Sequence, residues 1–290
     1  MHPRRVSGIM KETSLQGGIN MFDCLLYPGG KPKALTLSYD DGVFQDVRLA
    51  EILRRYGVKC TFNLNSGLDS AGSWEFQGAL VRRLDRSEWE EAYRGHEIAV
   101  HTRTHPHLED LSPKELCAEL WRDRRELEAH FGRPVEGMAL PYGSWNSEVL
   151  DVIRKLGFRY CRTTESTRRF DPPGDFLLWG ATCRHSDPQL PALADRFLKT
   201  GRELALFYLW GHSYEFDGDQ NWDVLERFLE KTAGRPDTWY ASNGEICAYL
   251  TAARRLLTGE GFLLNPTDTD LWVRAGGEAL RVPAGEWMEL

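Results

Sequence analysis

The 290-residue chain lacks several features that would place it in a special class of protein. No apolar run approaches the roughly 20 residues of a membrane-spanning helix. Residues 1–20 carry basic side chains but not the apolar core of a signal peptide. The six cysteines include no CxxC pair, so we expect free and mostly buried thiols rather than a disulfide framework. These absences predict a cytoplasmic protein without a membrane span.

An excess of positive charge is also missing. The chain has 36 Lys+Arg against 43 Asp+Glu, a formal net charge of −7, whereas nucleic-acid-binding surfaces are normally basic. We therefore expect no nucleic acid among its partners. Its 41% hydrophobic and 27% charged residues are ordinary for a folded globular protein and argue against disorder.

From residue 33 onward, short apolar runs alternate with amphipathic stretches. The runs predict strands at 34–38, 60–64, 97–100, 138–140, 158–162, 177–181, 204–210 and 239–241. Capping residues and helical spacing predict helices over 46–56, 112–132 and 147–156, and further helices that begin at 187, 221 and 242. About seven strand–helix repeats imply an α/β fold with a parallel sheet and outer helices, and seven or eight such units can close into a barrel.

The two ends of the chain differ from this pattern. Residues 1–20 show no periodicity, and we interpret them as a flexible extension. Residues 259–290 contain short β-like runs around a Gly276-Gly277 turn, which predict a small β appendage. The main domain is therefore expected to cover residues 21–258.

Polar residues interrupt three of the predicted strand ends, where parallel α/β folds carry their active sites. Asp40 and Asp41 directly follow the first strand. Adjacent carboxylates repel each other, and a metal that binds one of them while the other stays free as a base would explain the pair. Alone, the pair is equally well explained as an acidic turn.

Histidines follow the strand at 97–100. His101 and His105 are spaced so that both can reach one ion, and together with one Asp they would leave positions open for water and substrate, as catalytic zinc requires. His107 is a rival ligand, because His105-Pro-His107 forms an HxH pair, although we expect His107 at the surface. His212 follows the most apolar strand, and its position favours a role in a pocket over one in the core.

These residues resemble the motifs of one known family. Ser38-Tyr39-Asp40-Asp41-Gly42, the segment from His101 to His105, Leu140-Pro-Tyr-Gly143 and Leu209-Trp-Gly-His212 are similar, in order, to four motifs of the polysaccharide deacetylases, the NodB-homology enzymes of carbohydrate esterase family 4. The resemblance covers about residues 33–250. It implies a distorted (β/α) barrel, usually with seven strands.

The resemblance also implies a role for each matched residue. Asp41, His101 and His105 would bind one divalent metal ion, usually zinc, and Thr102 would steady their loop by a hydrogen bond. Asp40 would be the general base and His212 the general acid. The remaining two residues would face the substrate: the backbone N–H of Tyr142 in the oxyanion hole, and Trp210.

The chain also departs from the family pattern. Ala139 stands where the family has an arginine that orients the base, and we expect Arg103 or Arg184 to supply that guanidinium. Asp175 and Trp179 match only loosely the family's acidic residue and tryptophan. The segment Cys183-Arg184-His185 follows another predicted strand, and a place in the pocket and an ordinary polar strand end explain it equally well.

The sequence therefore predicts a metal-dependent amide hydrolase that removes N-acetyl groups from an acetylated sugar or polysaccharide, which is its expected partner. Two alternatives remain open. One is an amidohydrolase-type enzyme that uses His105 and His107 as metal ligands. The other is a carbohydrate-binding relative that has lost catalysis, for which Ala139 is the main support.

Overall fold

The structure is a computed structural model that describes residues 25–69, 71–259 and 261–290. The predicted extension at 1–20 lies outside the described residues. Within the described ranges, no helix is long and apolar enough to cross a membrane. Five cysteines lie there, all are free thiols, and all but Cys117 are buried, as expected.

Strands and helices alternate along most of the described chain. The strands are β1 (Leu25–Leu26), β2 (Lys33–Asp40), β3 (Cys60–Leu64), β4 (Ser73–Phe76), β5 (Ala79–Arg82), β6 (Glu97–Val100), β7 (Gly137–Ala139), β8 (Tyr160–Ser166), β9 (Trp179–Ala181), β10 (Cys183–Arg184), β11 (Ala205–Gly211), β12 (Thr238–Tyr240), β13 (Leu257–Gly259), β14 (Phe262–Leu264), β15 (Leu271–Ala275), β16 (Glu278–Val282) and β17 (Trp287–Glu289). The helices are α1 (Gln45–Tyr56), α2 (Arg86–Ala92), α3 (Pro113–Phe131), α4 (Ser147–Lys155), α5 (Leu190–Lys199), α6 (Tyr214–Gly218), α7 (Trp222–Thr232) and α8 (Asn243–Ala253).

The central sheet is parallel and closes on itself. Its neighbours run in the order β11, β2, β3, β6, β7, β8 and β9, and β10 pairs with β11. Because only Thr182 separates β9 from β10, and its N–H donates to the carbonyl of Tyr208 at 2.8 Å, one segment joins both edges of the sheet. The result is the distorted seven-stranded barrel that the sequence analysis predicted. β12 pairs with the first half of β2.

Burial explains why these segments form barrel strands. Every residue of β2, β3 and β11 is buried, because one face of each strand points into the barrel and the other is covered by helices. Gly57 ends α1 and Gly132 ends α3 with left-handed φ angles of 66° and 62°, conformations that suit glycine. Capping boxes at Ser112 and Ser242 begin α3 and α8, as predicted.

Two local predictions were wrong or incomplete. The helix expected from Asp187 begins at Leu190, because the Asp187 carboxylate accepts the N–H of Gln189 at 2.8 Å and holds a turn there. The sequence analysis also missed the β4–β5 hairpin and α2. The hairpin turns at Gln77-Gly78, both with positive φ, and glutamine is an uncommon residue in such a turn.

The predicted β tail consists of two small sheets. β15 and β16 form a hairpin over Gly276-Gly277 and add β1 as a third strand, while β13, β14 and β17 form the other sheet. Leu271 and Val273 of β15 lie in one apolar cluster with Ile246 and Leu250 of α8. The tail is therefore packed onto the barrel domain through α8.

Candidate metal centre and active site

The two adjacent carboxylates lie where β2 ends. Asp40 is its last residue and is 2% exposed, and Asp41 follows with a φ of 81°. The N–H of Asp41 donates to the carbonyl of Asn63 on the neighbouring strand β3 at 3.0 Å. This sharp turn directs consecutive side chains to the same end of the barrel, although side chains in a continuing strand would point to opposite faces.

The histidine loop that follows β6 is fixed by hydrogen bonds to its backbone. Asn65 donates to the carbonyls of His101 and Thr102 at 2.6 and 2.8 Å. The hydroxyl of Thr102 accepts the N–H of His105 at 3.0 Å, which is a contact of the kind expected for that residue. Thr102 and His105 both have left-handed φ angles, 67° and 58°. The loop is therefore held in a strained shape that places its two imidazoles together.

Asp41, His101 and His105 form a cluster with the composition of a metal site. One ligand atom from each lies within 4.8 Å of the others, and the two Nε2 atoms are 3.1 Å apart. His101 Nδ1 lies 2.9 Å from the carbonyl of Ala139, so a proton on Nδ1 leaves the Nε2 lone pair free toward the cluster. Burial lowers the pKa of both histidines, that of His105 to about 4. The two rings are therefore neutral near pH 7, as metal ligands must be.

His107 lies apart from this cluster. Its side chain is 51% exposed, and its ring stacks on Tyr142 with centroids 4.0 Å apart. The structure thus brings His105 together with His101 and Asp41, and not with His107.

Asp40 is held by a buried arginine that the sequence analysis did not identify. Arg162 of β8 is fully buried and contacts Asp40 Oδ2 through Nη2, and Asn63 donates to Oδ1 at 2.7 Å. Burial opposes ionisation of Asp40, but the charge of Arg162, the neighbouring histidines and the hydrogen bond from Arg162 together outweigh it and lower the pKa of this carboxyl to about 2. Asp40 is therefore ionised at neutral pH and held in one orientation.

The expectation that Arg103 or Arg184 replaces the missing arginine was wrong. Arg103 pairs with Glu126 at 3.0 Å, and Arg184 contacts Glu215. Ala139 and Arg162 are direct partners across the β7–β8 pair, so the guanidinium comes from the same level of the barrel but from the adjacent strand.

His212 faces both carboxylates across the pocket. Its Nε2 atom lies 3.8 Å from Asp40 Oδ2 and 3.9 Å from Asp41 Oδ2, and its Nδ1 atom lies 3.1 Å from Glu215 Oε1. Burial opposes protonation of His212, but the hydrogen bond that its Nδ1 donates to Glu215 and the charges of Asp41, Asp40 and Glu215 together outweigh it and raise its pKa. Glu215 also lies 3.0 Å from His185 Nε2, and His185 is buried.

The remaining predicted site residues occupy different environments. Tyr142 is 59% exposed, has a φ of 57° and lies edge-on to His105, with ring centroids 4.6 Å apart. Trp210 is buried, with the guanidinium carbons of Arg162 and Arg184 at 4.4 and 5.2 Å from the centre of its ring. Trp210 therefore packs the arginines that orient Asp40 and Glu215.

Asp175 and Trp179, which match the family pattern only loosely, make structural contacts. The Asp175 carboxylate accepts the N–H of Leu177 at 2.8 Å, and Trp179 is buried in an apolar cluster. The acidic partner of His212 is Glu215, three residues further along the chain. That spacing is a signal available in the sequence, because residues i and i+3 meet on one helical turn.

Comparison with known proteins agrees with the predicted fold and with the predicted family resemblance. Residues 28–161 match the model of the family described as polysaccharide deacetylase. A chitooligosaccharide deacetylase from Azorhizobium caulinodans is 28% identical over 144 residues, which cover 48% of this chain and 62% of the relative. A peptidoglycan-N-acetylglucosamine deacetylase from Listeria monocytogenes is 28% identical over 124 residues, 42% of this chain and 24% of the relative. The likeness to the polysaccharide deacetylase family thus covers residues 28–161, somewhat less than half of this chain, and the relatives compared above are 28% identical to it.

Solved structures extend the likeness in fold beyond the matched segment. A putative polysaccharide deacetylase from Mycobacterium smegmatis aligns with a TM-score of 0.56 at 18% identity, over 82% of this chain and 97% of that one. The Xyl-CE4 domain of a multidomain xylanase from the hindgut metagenome of Trinervitermes trinervoides aligns with a TM-score of 0.51 at 18% identity. The alignment covers 76% of this chain and 92% of that domain. By contrast, the chain spans only 62% of the length of its curated relative from Azorhizobium.

Proposed function

We propose that this chain is a metal-dependent amide hydrolase that removes an N-acetyl group from an acetylated sugar. One observation carries the proposal: at the carboxyl ends of the barrel strands, an Asp/His/His cluster adjoins an ionised carboxylate, Asp40, and an imidazole with a raised pKa, His212. A base and an acid whose pKa values are shifted in opposite directions are what amide hydrolysis at neutral pH requires.

The residues present fit a zinc ion. Asp41, His101 and His105 would hold it, since two neutral imidazoles and one carboxylate are a common zinc ligand set. When bound, zinc lowers the pKa of water and polarises a carbonyl.

The chain's own groups then have separate tasks. Asp40, oriented by Arg162 and Asn63, accepts a proton from the attacking water. His212, oriented by Glu215, donates a proton to the departing amine, without which the tetrahedral intermediate would return to the amide. The backbone N–H of Tyr142 would donate to the oxygen that becomes negatively charged.

The substrate class is supported by the relatives. Curated relatives that match this chain include enzymes named for deacetylation of chitooligosaccharide and of peptidoglycan N-acetylglucosamine. Both substrates carry an acetamide on a sugar ring. We therefore assign an N-acetylated sugar to this pocket.

The test is a hydrolysis screen of the zinc-loaded protein. Release of acetate from N-acetylated mono-, oligo- and polysaccharides is expected for the wild-type protein. His105→Ala should lose both bound zinc and activity, whereas His107→Ala, the matched control, should keep both. Zinc retained by His105→Ala and lost from His107→Ala would overturn the ligand assignment. A zinc-loaded wild type that releases no acetate from any of these sugars would overturn the function.

The contacts of Asp40 argue against the alternative that this chain binds a carbohydrate without hydrolysing it. The missing motif arginine at Ala139 was the main support for such a protein, and Arg162 now occupies that role from the adjacent strand.

A further inference from the structure

The segment that carries His212 begins where one pairing of the central sheet ends. The last paired residues of β11 and β2 are Gly211 and Tyr39, whereas β2 stays paired with β3 as far as Asp40. His212 is therefore the first residue whose position relative to the aspartates is no longer fixed by the sheet. Its distance from them depends on contacts of the segment that follows β11.

Glu215 orients the His212 ring without tying it to β2. It lies only three residues further along the chain, and it contacts Arg184 of β10. Because β10 lies on the opposite side of β11 from β2, this contact does not hold His212 against the aspartates. Within the described ranges, the one hydrogen bond between residues 212–218 and residues 40–56 joins Ser213 to Asp46.

Asp46, the second residue of α1, is fully buried and accepts three hydrogen bonds. The Ser213 hydroxyl donates to Oδ1 at 2.6 Å, and the N–H of Val43 and the hydroxyl of Tyr93 donate to Oδ2 at 3.1 and 2.9 Å. The Ser213 distance is within the roughly 2.5–2.7 Å of a strong hydroxyl–carboxylate hydrogen bond. Asp46 and Ser213 are both 0% exposed, so water does not compete for this bond.

The three donors to Asp46 come from different segments of the chain. Ser213 directly follows His212. Val43 lies two residues beyond Asp41, in the loop that leaves β2, and Tyr93 directly follows α2. One buried carboxylate thus joins the loop of the proposed acid to the loop of a proposed metal ligand.

We propose that Asp46 is a positioning residue, which holds His212 at its distance from the two aspartates through the Ser213 hydroxyl. The proposal rests on the proposed function, in which His212 donates a proton to the departing amine. Asp46 has no exposed surface, so it acts through its hydrogen bonds and does not touch the substrate. A misplacement of about 1 Å caused by such a remote group can lower turnover about 10²-fold.

The experiment removes one hydroxyl donor at a time from the Asp46 carboxylate. Ser213→Ala breaks the bond that leads to His212. Tyr93→Phe is the matched control, because it breaks a bond to the same carboxylate and leaves Ser213 in place. Each variant loses one buried hydrogen bond, so both should unfold at a lower urea concentration than wild type. The zinc-loaded proteins are compared by kcat and KM on the N-acetylated sugar found in the hydrolysis screen and on an acetate ester of the same sugar.

Ser213→Ala should lower kcat for the acetamide about 10- to 100-fold, with KM and zinc content near wild type. The ester should be affected less, because a displaced His212 matters most where the leaving group must be protonated. Tyr93→Phe should keep the wild-type kcat. Asp46→Ala should lower kcat at least as much as Ser213→Ala does. Adding Ser213→Ala to it should cause no further loss, since both changes break the same bond.

A wild-type kcat in Ser213→Ala, equal losses of amide and ester activity, or an equal loss in Tyr93→Phe would overturn the proposal. Crystal structures of the variants separate this outcome from a failure of the proposed function. The 3.8 Å between His212 Nε2 and Asp40 Oδ2 should lengthen in Ser213→Ala and stay unchanged in Tyr93→Phe. If it does so in a protein that hydrolyses no sugar, the positioning role stands and the proposed function fails. An unchanged distance in Ser213→Ala would overturn the positioning role, whatever the activity.

Discussion

Carboxyl groups and histidines lie at both ends of the barrel, but their hydrogen-bond and charge partners differ between the two ends. At the amino end, the first residue of β6, Glu97, accepts hydrogen bonds from neutral donors: Thr61 Oγ1 at 2.7 Å, the Tyr160 hydroxyl at 2.9 Å and the N–H of Gly244 at 2.8 Å. At the carboxyl end, the acidic groups face guanidiniums and imidazoles. The amino end is a network that caps α8, whereas the carboxyl end concentrates charge around partly exposed side chains such as His105 and His212.

This difference separates structural polar groups from reactive ones. A buried carboxyl group whose acceptors are all filled by neutral donors mainly anchors the elements that supply those donors. A set of opposite charges that also converges on two neutral imidazoles is arranged for ligands or proton transfer. Substitutions at the carboxyl end should therefore change turnover, and substitutions at the amino end should change stability.

His212→Ala should have the largest effect on turnover. Positioned proton transfer contributes about 10²–10⁴-fold, so kcat for the acetamide should fall by about that factor while zinc content stays near wild type. An acetate ester of the same sugar should be affected less, because an alkoxide departs without full protonation more readily than an amide anion. Steady-state kinetics on both substrates and elemental analysis test this. Loss of zinc would make His212 a ligand instead.

Arg162→Ala should lower both the turnover and the stability of the protein. Leaving Asp40 buried and unpaired should destabilise the protein by about 3–5 kcal/mol and misplace the base, at a cost of about 10²-fold in kcat. The double variant Ala139→Arg with Arg162→Ala restores a guanidinium from the partner position on β7. It should recover part of the turnover and of the stability, measured by denaturant unfolding. No recovery in the double variant would show that Arg162 does more than orient Asp40.

Glu215→Gln should have a moderate effect on turnover. It keeps the size of the side chain but removes the charge that favours protonated His212, so the acetamide should be hydrolysed about tenfold more slowly. The ratio of amide to ester rates should fall with it. Asp217→Asn is the matched control on α6, because Asp217 accepts a hydrogen bond from Trp222 Nε1 at 2.7 Å instead. Equal losses of amide and ester activity would assign Glu215 a purely structural role.

At the amino end, His96 should affect stability and leave turnover unchanged. Burial lowers its pKa from 6.5 to about 4, and its Nδ1 accepts the N–H of Cys60 at 3.2 Å. Between these pH values the unfolded chain binds a proton that the folded one does not, so stability falls as pH decreases from about 6.5 to 4, by about 3 kcal/mol in total. Urea unfolding across this range should show less of that fall in His96→Gln than in wild type or in His107→Gln.

The barrel and the grouping of Asp41, His101 and His105 could be predicted from the sequence because their signals are local. Each barrel strand is a short apolar run, and Asp41, His101 and His105 each sit in a compact motif just after one. Arg162 and Asp40 are 122 residues apart, and their contact follows only from the pairing of β7 with β8. The sequence analysis also missed Arg83, whose Nη2 lies 3.3 Å from Asp41 Oδ1, because it follows a hairpin that has no strong turn signal. What the sequence could not predict was thus the long-range contacts that orient or surround the reactive groups.

The left-handed backbone at Asp41, Thr102, His105 and Tyr142 has a consequence for engineering. Each of these non-glycine residues holds a conformation that costs of order 1–2 kcal/mol and that glycine adopts freely. A library selected only for heat resistance would therefore accumulate glycine at these four positions. Such variants would have lost Asp41 and His105, two of the three proposed metal ligands. Selecting variants of this protein for thermostability alone, without an activity screen, would therefore favour stability at the expense of activity.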